Sequence, residues 1–290
     1  MWTARVAWAV LPFTTGAAVG DALGEWSRRP AVVAAALLWT AWGAGLVALL
    51  APRPWAFTLL RVAATTAVVT AAGSSFGRDA PVAALAVSGS LAATAAACSA
   101  RVAHACANAS AYGNEHRFPL RAPTPVAAIL VAPAAALVAA GIACGPLLVA
   151  SGTVIGGIGL GAAGLFVAAF LSRSLHGLSR RWVVLVPAGL VIADPLTLVD
   201  PVLLPYDKLR SVIRLSVSQA PAGALDLRLG TLFGSVEVQL RDPATIAQRR
   251  RNDAEIVTPI SLLVAPLRPA ALLDAVDQAA TPPPSRRSPS

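Results

Sequence analysis

The fold class this sequence predicts is a membrane all-α bundle of about six transmembrane helices, followed by a small antiparallel β domain with a C-terminal helix. Three observations predict it. Only 13% of the 290 residues are charged while 56% are hydrophobic, whereas a soluble domain carries about a quarter charged residues. Apolar stretches of membrane-crossing length recur through the first 171 residues. Beyond residue 176 they give way to short segments in which apolar and polar residues alternate.

Crossing the hydrocarbon core takes about 20 apolar residues. The candidates are residues 7–23, 31–50, 55–73, 81–100, 125–150 and 153–171, the first being the least hydrophobic. Arg5 and the apolar run after it resemble a signal peptide, but no small-residue cleavage site follows, so residues 7–23 read as a retained first helix. Several stretches are rich in Ala and Gly, which lets helix backbones approach closely and suits a packed bundle. Residues 1–171 thus form the bundle, 172–179 a linker, 180–280 the β domain and 281–290, TPPPSRRSPS, a disordered tail.

Orientation follows from arginines in the connections. With six spans, one side holds Arg5, Arg53, Arg101, Arg117, Arg121, Arg173, Arg180 and Arg181 against the single acid Glu115. The other holds Arg28, Arg29 and Arg78 against Asp21, Glu25 and Asp79. The excess assigns both termini and the β domain to the cytoplasmic face of a cell membrane. The chain carries a formal +9, with one lysine, Lys208, against 22 arginines. With abundant Ala, Gly and Pro, this reads as the coding bias of a GC-rich genome. The net +4 after residue 171 is evenly spread, which argues against nucleic acid as a partner.

In the β domain, 182–186 (WVVLV) is too short to span and is closed by Pro187, and Leu190–Ala193 follow. Ile213, Leu215 and Val217 alternate with Arg214 and Ser216. In 225–229, Leu225, Leu227 and Leu229 share a face, with Asp226 and Arg228 opposite; in 236–240, Val236, Val238 and Leu240 oppose Glu237 and Gln239. Residues 260–264 make a last strand. Pro269 opens a helix with Leu272, Leu273 and Val276 on one face and Asp274, Asp277 and Gln278 on the other. About seven strands and one helix result.

Gly189-Leu190-Val191-Ile192 at the end of an early strand, the step Pro205-Tyr206-Asp207-Lys208-Leu209, and the last strand running into Pro269 and an amphipathic helix carry a resemblance. This third of the chain resembles the pleckstrin-homology-like (PH-like) domains of bacterial membrane proteins. Separately, Asn114-Glu115-His116-Arg117-Phe118-Pro119-Leu120-Arg121 resembles a loop in uncharacterised multi-pass membrane proteins of high-GC bacteria.

Little in the sequence points to catalysis. Gly159-Leu160-Gly161-Ala162-Ala163-Gly164 matches G-x-G-x-x-G, but it lies inside an apolar run and no acid follows about 20 residues on. Gly157 and Gly161 also form a G-x-x-x-G pair, so helix packing accounts for them. Cys98, His104 and Cys106 are zinc-type ligands without a fourth, and the three cysteines, with Cys144, read as free buried thiols. Asn108-Ala109-Ser110 is a sequon that the topology places in the cytoplasm. No G-x-S-x-G elbow occurs. Arg61 is the one charge well inside a span, near enough to its end to snorkel. Asp21, Glu25, Asp79 and Glu115 all lie at span ends, and the lack of acids in the bundle interior disfavours ion-coupled transport. Pro133 and Pro146 kink or break the fifth span.

Two groups remain as candidate sites. Arg249, Arg250 and Arg251 are candidate contacts for anionic lipid, although Asp253 and Glu255 balance them as in a solvated loop. Tyr112, Glu115, Arg117, Phe118 and Arg121 lie in a connection beside the bilayer and are candidates for contact with the β domain, or for anchoring at the interface. No catalytic, cofactor-binding or metal-binding residue is assigned. The expected function is a membrane-tethered binding, regulatory or scaffold protein that meets the bilayer and a cytoplasmic or membrane protein partner. The rival is a transporter or lipid-handling protein using the bundle.

Overall fold

The computed structural model describes residues 1–215, 221, 223–231, 233–250 and 253–280. Two compact units emerge, one made of Met1–Ser110 with Pro125–Ser179, the other of Ala111–Thr124 with Arg180–Ser290.

The first unit is helical. Its long elements are α1 (Trp2–Gly24), α2 (Arg28–Leu50), α3 (Pro54–Ser74), α4 (Ala80–Ala97), α7 (Val131–Ala150) and α8 (Val154–Ser179), separated between α4 and α7 by the short α5 (Ala100–Asn108) and α6 (Thr124–Ile129). The six long helices are each long and apolar enough to cross a membrane. Their large side chains point outward, as Phe13, Ile155, Phe166 and Phe170 do, while alanines such as Ala18, Ala71 and Ala86 form the contacts inside. That inversion suits a lipid solvent, where close backbone approach rather than apolar burial joins helices.

The α7–α8 pair shows the principle most plainly. A Cβ on Gly145 would lie 2.8 Å from the Gly161 Cα, and one on Gly157 would lie 2.8 Å from the Val149 amide nitrogen. The helices therefore touch backbone to backbone. Gly161 and Gly164 of the G-x-G-x-x-G match both face α7, whereas Gly159 faces open space.

Helix ends differ from the sequence expectation at several points. The first helix starts at Trp2 rather than residue 7. The fourth stops at Ala97, where Cys98 leaves helical geometry, and α5 begins separately. Its alternation of buried Val102, Ala103, Cys106 and Ala107 with exposed Arg101 makes it amphipathic rather than spanning. The fifth long helix begins at Val131, so Pro133 sits in its first turn, where no amide hydrogen bond is lost. Pro146 alone is interior, and the helix runs on through it. Residues 172–179, expected as a linker, are the last two turns of α8.

Among the described residues, the second unit holds two four-stranded sheets and a hairpin. The first sheet contains β1 (His116–Pro119), β2 (Trp182–Val186), β3 (Gly189–Ala193) and β4 (Val202–Pro205), antiparallel throughout in the order β1-β2-β3-β4. The second contains β5 (Leu209–Arg214), β6 (Ala224–Asp226), β7 (Val236–Leu240) and β10 (Ser261–Val264), in the order β5-β7-β10-β6, with β10 parallel to β6. A hairpin of β8 (Ile246–Arg250) and β9 (Asp253–Val257) stands apart. α9 (Pro269–Ala280) closes the unit, burying Leu272 and Val276 in a core shared with Ile192, Leu225 and Val238.

The sheets explain where simple alternation fails. Strand β6 ends at Asp226, so Leu229 is not its third buried residue but sits partly exposed in a left-handed conformation at φ 54°. Arg228, expected on a solvated face, is buried. So is Glu237, because β7 lies between β5 and β10 rather than at an edge. Val217 and Ser216 of the third alternating segment, and the tail 281–290, lie outside the described residues.

Candidate functional site

Residues 112–121 belong to the β unit itself. Gly113 turns the chain at φ 59°, and residues 116–119 then pair antiparallel with β2, placing Phe118 opposite Val183. Phe118 is 4% exposed and lies in the core. The Arg117 guanidinium stacks 4.9 Å from the Trp182 ring centre and reaches Glu115 Oε2 at 2.9 Å. That hydrogen bond, helped by the amide of Tyr112 and the charge of Arg117, holds the Glu115 carboxyl below the usual carboxylate range against the opposing effect of burial. Tyr112 itself is 88% exposed. The segment is thus an edge strand, which the sequence expectation of a loop did not contain.

Arg121 ends this segment with its backbone tied on both sides. Its amide donates to the Ala265 carbonyl at 2.7 Å. Its own carbonyl accepts from Arg181 Nη1 at 2.9 Å. Arg181 in turn grips Asp194 through Nε (2.9 Å) and Nη2 (2.7 Å) and donates to the Leu227 carbonyl at 2.8 Å. Both charges are essentially wholly buried, 1% and 0% exposed.

The Arg121 side chain enters an open cleft of about 870 Å³. The cleft lies between the end of β5, the 233–235 turn and the start of α9, and is lined by Arg121, Arg214, Phe233, Ser235, Arg268 and Asp274 among others. Gly234 adopts φ +74°, and a Cβ there would stand 2.9 Å from Arg121 Nε. Glycine is therefore favoured by the left-handed backbone, and a side chain there would also displace the Arg121 guanidinium. This cleft has no local sequence signature, because its arginines come from positions 121, 214 and 268.

The other residues singled out by sequence lie elsewhere. Arg249 and Arg250 are exposed at the end of β8, where Arg250 pairs with Glu255 at 3.0 Å; Arg251 lies outside the described residues. The three cysteines are free thiols, and no group of three metal-ligating side chains forms among the described residues. Asn108 of the sequon donates its side-chain amide to the His104 carbonyl. Arg61, expected to snorkel, donates to Ser179 Oγ at 3.0 Å and stacks on Phe57. Thr58 meets both His176 Nδ1 and Ser179 Oγ at 3.2 Å, so a polar cluster joins α3 to α8 that sequence spacing did not reveal.

A second cavity, of about 260 Å³, lies among α1, α2 and α3 in the helical unit and is largely apolar. Beside it, Trp8 and Trp42 each donate their indole N–H to the other's carbonyl at 2.9 Å.

No protein-family model, no curated protein and no solved structure matches this chain.

Proposed function

We propose that the chain is a membrane-tethered binding or regulatory module, in which the helices anchor a cytoplasmic β unit and the open cleft of that unit receives its ligand or partner. The pairing of β1 with β2 carries the reading. These strands are separated in sequence by the short α6 and by α7 and α8, the two helices of that stretch long enough to cross a membrane. Two crossings return a chain to the side it left, so the pairing is compatible with a bilayer when both helices cross it. The arginine excess near Arg117, Arg121, Arg180 and Arg181 favours the cytoplasm for that side.

A PH-like domain is our finer reading of the β unit. The consecutive antiparallel strands β2, β3 and β4 and the closing helix α9 support it. The parallel β6–β10 pair and the strand donated from residues 116–119 depart from a plain antiparallel meander. The uncharacterised high-GC bacterial membrane family remains our proposed kinship, on the 114–121 segment. No catalytic role is proposed.

The apolar cavity among α1, α2 and α3 favours a second reading, lipid handling by the bundle. Its volume of about 260 Å³ falls just under the roughly 300–1,000 Å³ of ligand pockets, which ranks this reading second.

A photo-crosslinking amino acid at Phe233, in the full-length protein in its membrane, tests the first reading. A discrete adduct is expected there and not from the same group at Tyr112. No adduct at Phe233, with lipid movement by the reconstituted protein, would replace it with the second.

A further inference from the structure

We infer that the cleft beside α9 is a site for a phosphate group, carried either by a soluble phosphomonoester or by a lipid headgroup. The inference deepens the binding-module reading and rests on it.

Three arginines from separate parts of the chain line the cleft: Arg121 after β1, Arg214 at the end of β5, and Arg268 just before α9. Among the described residues, Asp274 is the one acid lining the cleft. The local charge is therefore +2, the complement of a phosphomonoester near neutrality. Arg214 and Arg268 are exposed, and neither side chain forms an ion pair or hydrogen bond among the described residues. Arg121 Nε is buried without a hydrogen-bond partner, and its Nη2 makes one long bond of 3.4 Å to the Leu267 carbonyl. A buried N–H left unpaired is unfavourable, and a ligand oxygen would satisfy it.

Three further donors belong to residues that line the same space. The amides of Ala270 and Ala271 lie in the first turn of α9, where they have no partner within the helix, and that turn carries no acidic residue to compensate the positive end of the dipole. Ser235 Oγ, buried in the cleft wall, accepts from Arg228 Nη1 at 3.0 Å and keeps its own proton to donate. Three arginines offer more N–H groups than the two oxygens of a carboxylate can accept. They match the three terminal oxygens of a phosphomonoester, which guanidinium forks bind in pairs.

The test uses the full chain. In nanodiscs of phosphatidylcholine alone, glycerol 3-phosphate is titrated and followed by calorimetry. In a second arm, phosphatidic acid is incorporated and amide exchange of residues 233–235 and 268–271 is read. Saturable binding in the first arm identifies a soluble phosphomonoester as the source. Slowed exchange in the second arm alone identifies the headgroup. In whichever arm responds, Arg214→Gln with Arg268→Gln should weaken the effect about tenfold or more, since charge-assisted bonds are lost. Both side chains are exposed, so the variant keeps its fold. Asp274→Asn should strengthen the effect. Silence in both arms, or a response indifferent to Arg214 and Arg268, overturns the inference. If Phe233 still gives an adduct, the phosphate assignment falls and the binding module stands; if it gives none, both fall.

Discussion

The carbonyl oxygen of Arg121 accepts a hydrogen bond from Nη1 of Arg181 at 2.9 Å, and that same guanidinium holds Asp194 in a two-pronged pair. One buried cation thus ties the segment carrying β1 to Asp194, the residue after strand β3, and to the Leu227 carbonyl. An ion pair so deeply buried gains little net stability over an apolar replacement, because both charges are desolvated. Removing one partner is another matter. Asp194→Ala should destabilise the β unit by about 3–5 kcal/mol, because Arg181 is left charged and unpaired. Amide exchange of residues 182–193 in the full-length protein reads this. Arg181→Met with Asp194→Leu should recover much of the loss; a double variant as unstable as the single one would refute the desolvation account.

Phe118 is expected to carry most of the energy with which residues 112–121 hold to the β unit. It is buried opposite Val183, and truncating a buried Phe costs about 3–5 kcal/mol. The Arg117–Glu115 pair is partly exposed and adds roughly 0–1 kcal/mol. Phe118→Ala should therefore open β1 to limited proteolysis, while Glu115→Gln should leave the digest almost unchanged. Tyr112→Ala, at an exposed position, should have no effect.

Much of this architecture is legible in the sequence, and the parts that are not have a common cause. Apolar length places six helices, and α9 follows from the spacing of Leu272 and Val276. What local pattern misses is set by partners far along the chain. Residues 116–119 have the polar and proline content of a loop and become a strand only because β2 offers an edge. Glu237 alternates like a solvated residue and is buried because β7 lands mid-sheet. Arg228 is buried because Asp226 and Ser235 reach it. The cleft is the extreme case, since its arginines lie up to 147 residues apart.

Acid should loosen the 226–235 region selectively. Burial alone would push the Asp226 carboxyl up, but the hydrogen bonds and charge of Arg228 outweigh it and hold the carboxyl below its usual value. A carboxyl depressed in the folded state contributes stability that is fully present above its unfolded pKa, about 3.9. That contribution is lost as the pH falls through the lower folded value. Arg228, raised by the same pairing, stays charged throughout. Amide exchange at 227–231 should therefore accelerate as the pH falls below about 4, after correction for intrinsic rates. In Asp226→Asn the exchange should already be fast at neutral pH and lose this step; a variant retaining the step would place the titration elsewhere.

The α7–α8 contact should tolerate no side chain at Gly145 or Gly161. A Cβ at either meets backbone of the other helix at 3.0 Å or less, and backbone does not yield as a flexible side chain does. Gly161→Leu should lower the melting temperature of the detergent-solubilised protein by several degrees, in line with an overpacking cost of about 1–3 kcal/mol. Gly159→Leu, where nothing stands within 4 Å, should leave it unchanged. Equal losses at both positions would show that the glycines matter for something other than this contact.

The pairing of β1 with β2 also makes membrane topology testable at single residues. If α7 and α8 both cross, the turn before β1 and the strands after β2 must share a side. The connection between α3 and α4, one crossing earlier than that turn, must lie on the other side. The arginine distribution leads us to propose the cytoplasm for the shared side. With Cys98, Cys106 and Cys144 replaced by alanine, Asn114→Cys and Arg210→Cys each place a thiol at an exposed position of the β unit. Phe76→Cys places one in the α3–α4 connection, where Phe76 is 83% exposed. A membrane-impermeant maleimide should label Phe76→Cys in intact cells, and the other two only after the membrane is opened. Labelling of all three from outside would mean that α4 does not cross. Labelling of Asn114→Cys and Arg210→Cys alone would invert the orientation and expose the Asn108 sequon to the outer face. Labelling of only one of that pair would separate β1 from β2 across the bilayer, which their hydrogen-bonded register forbids.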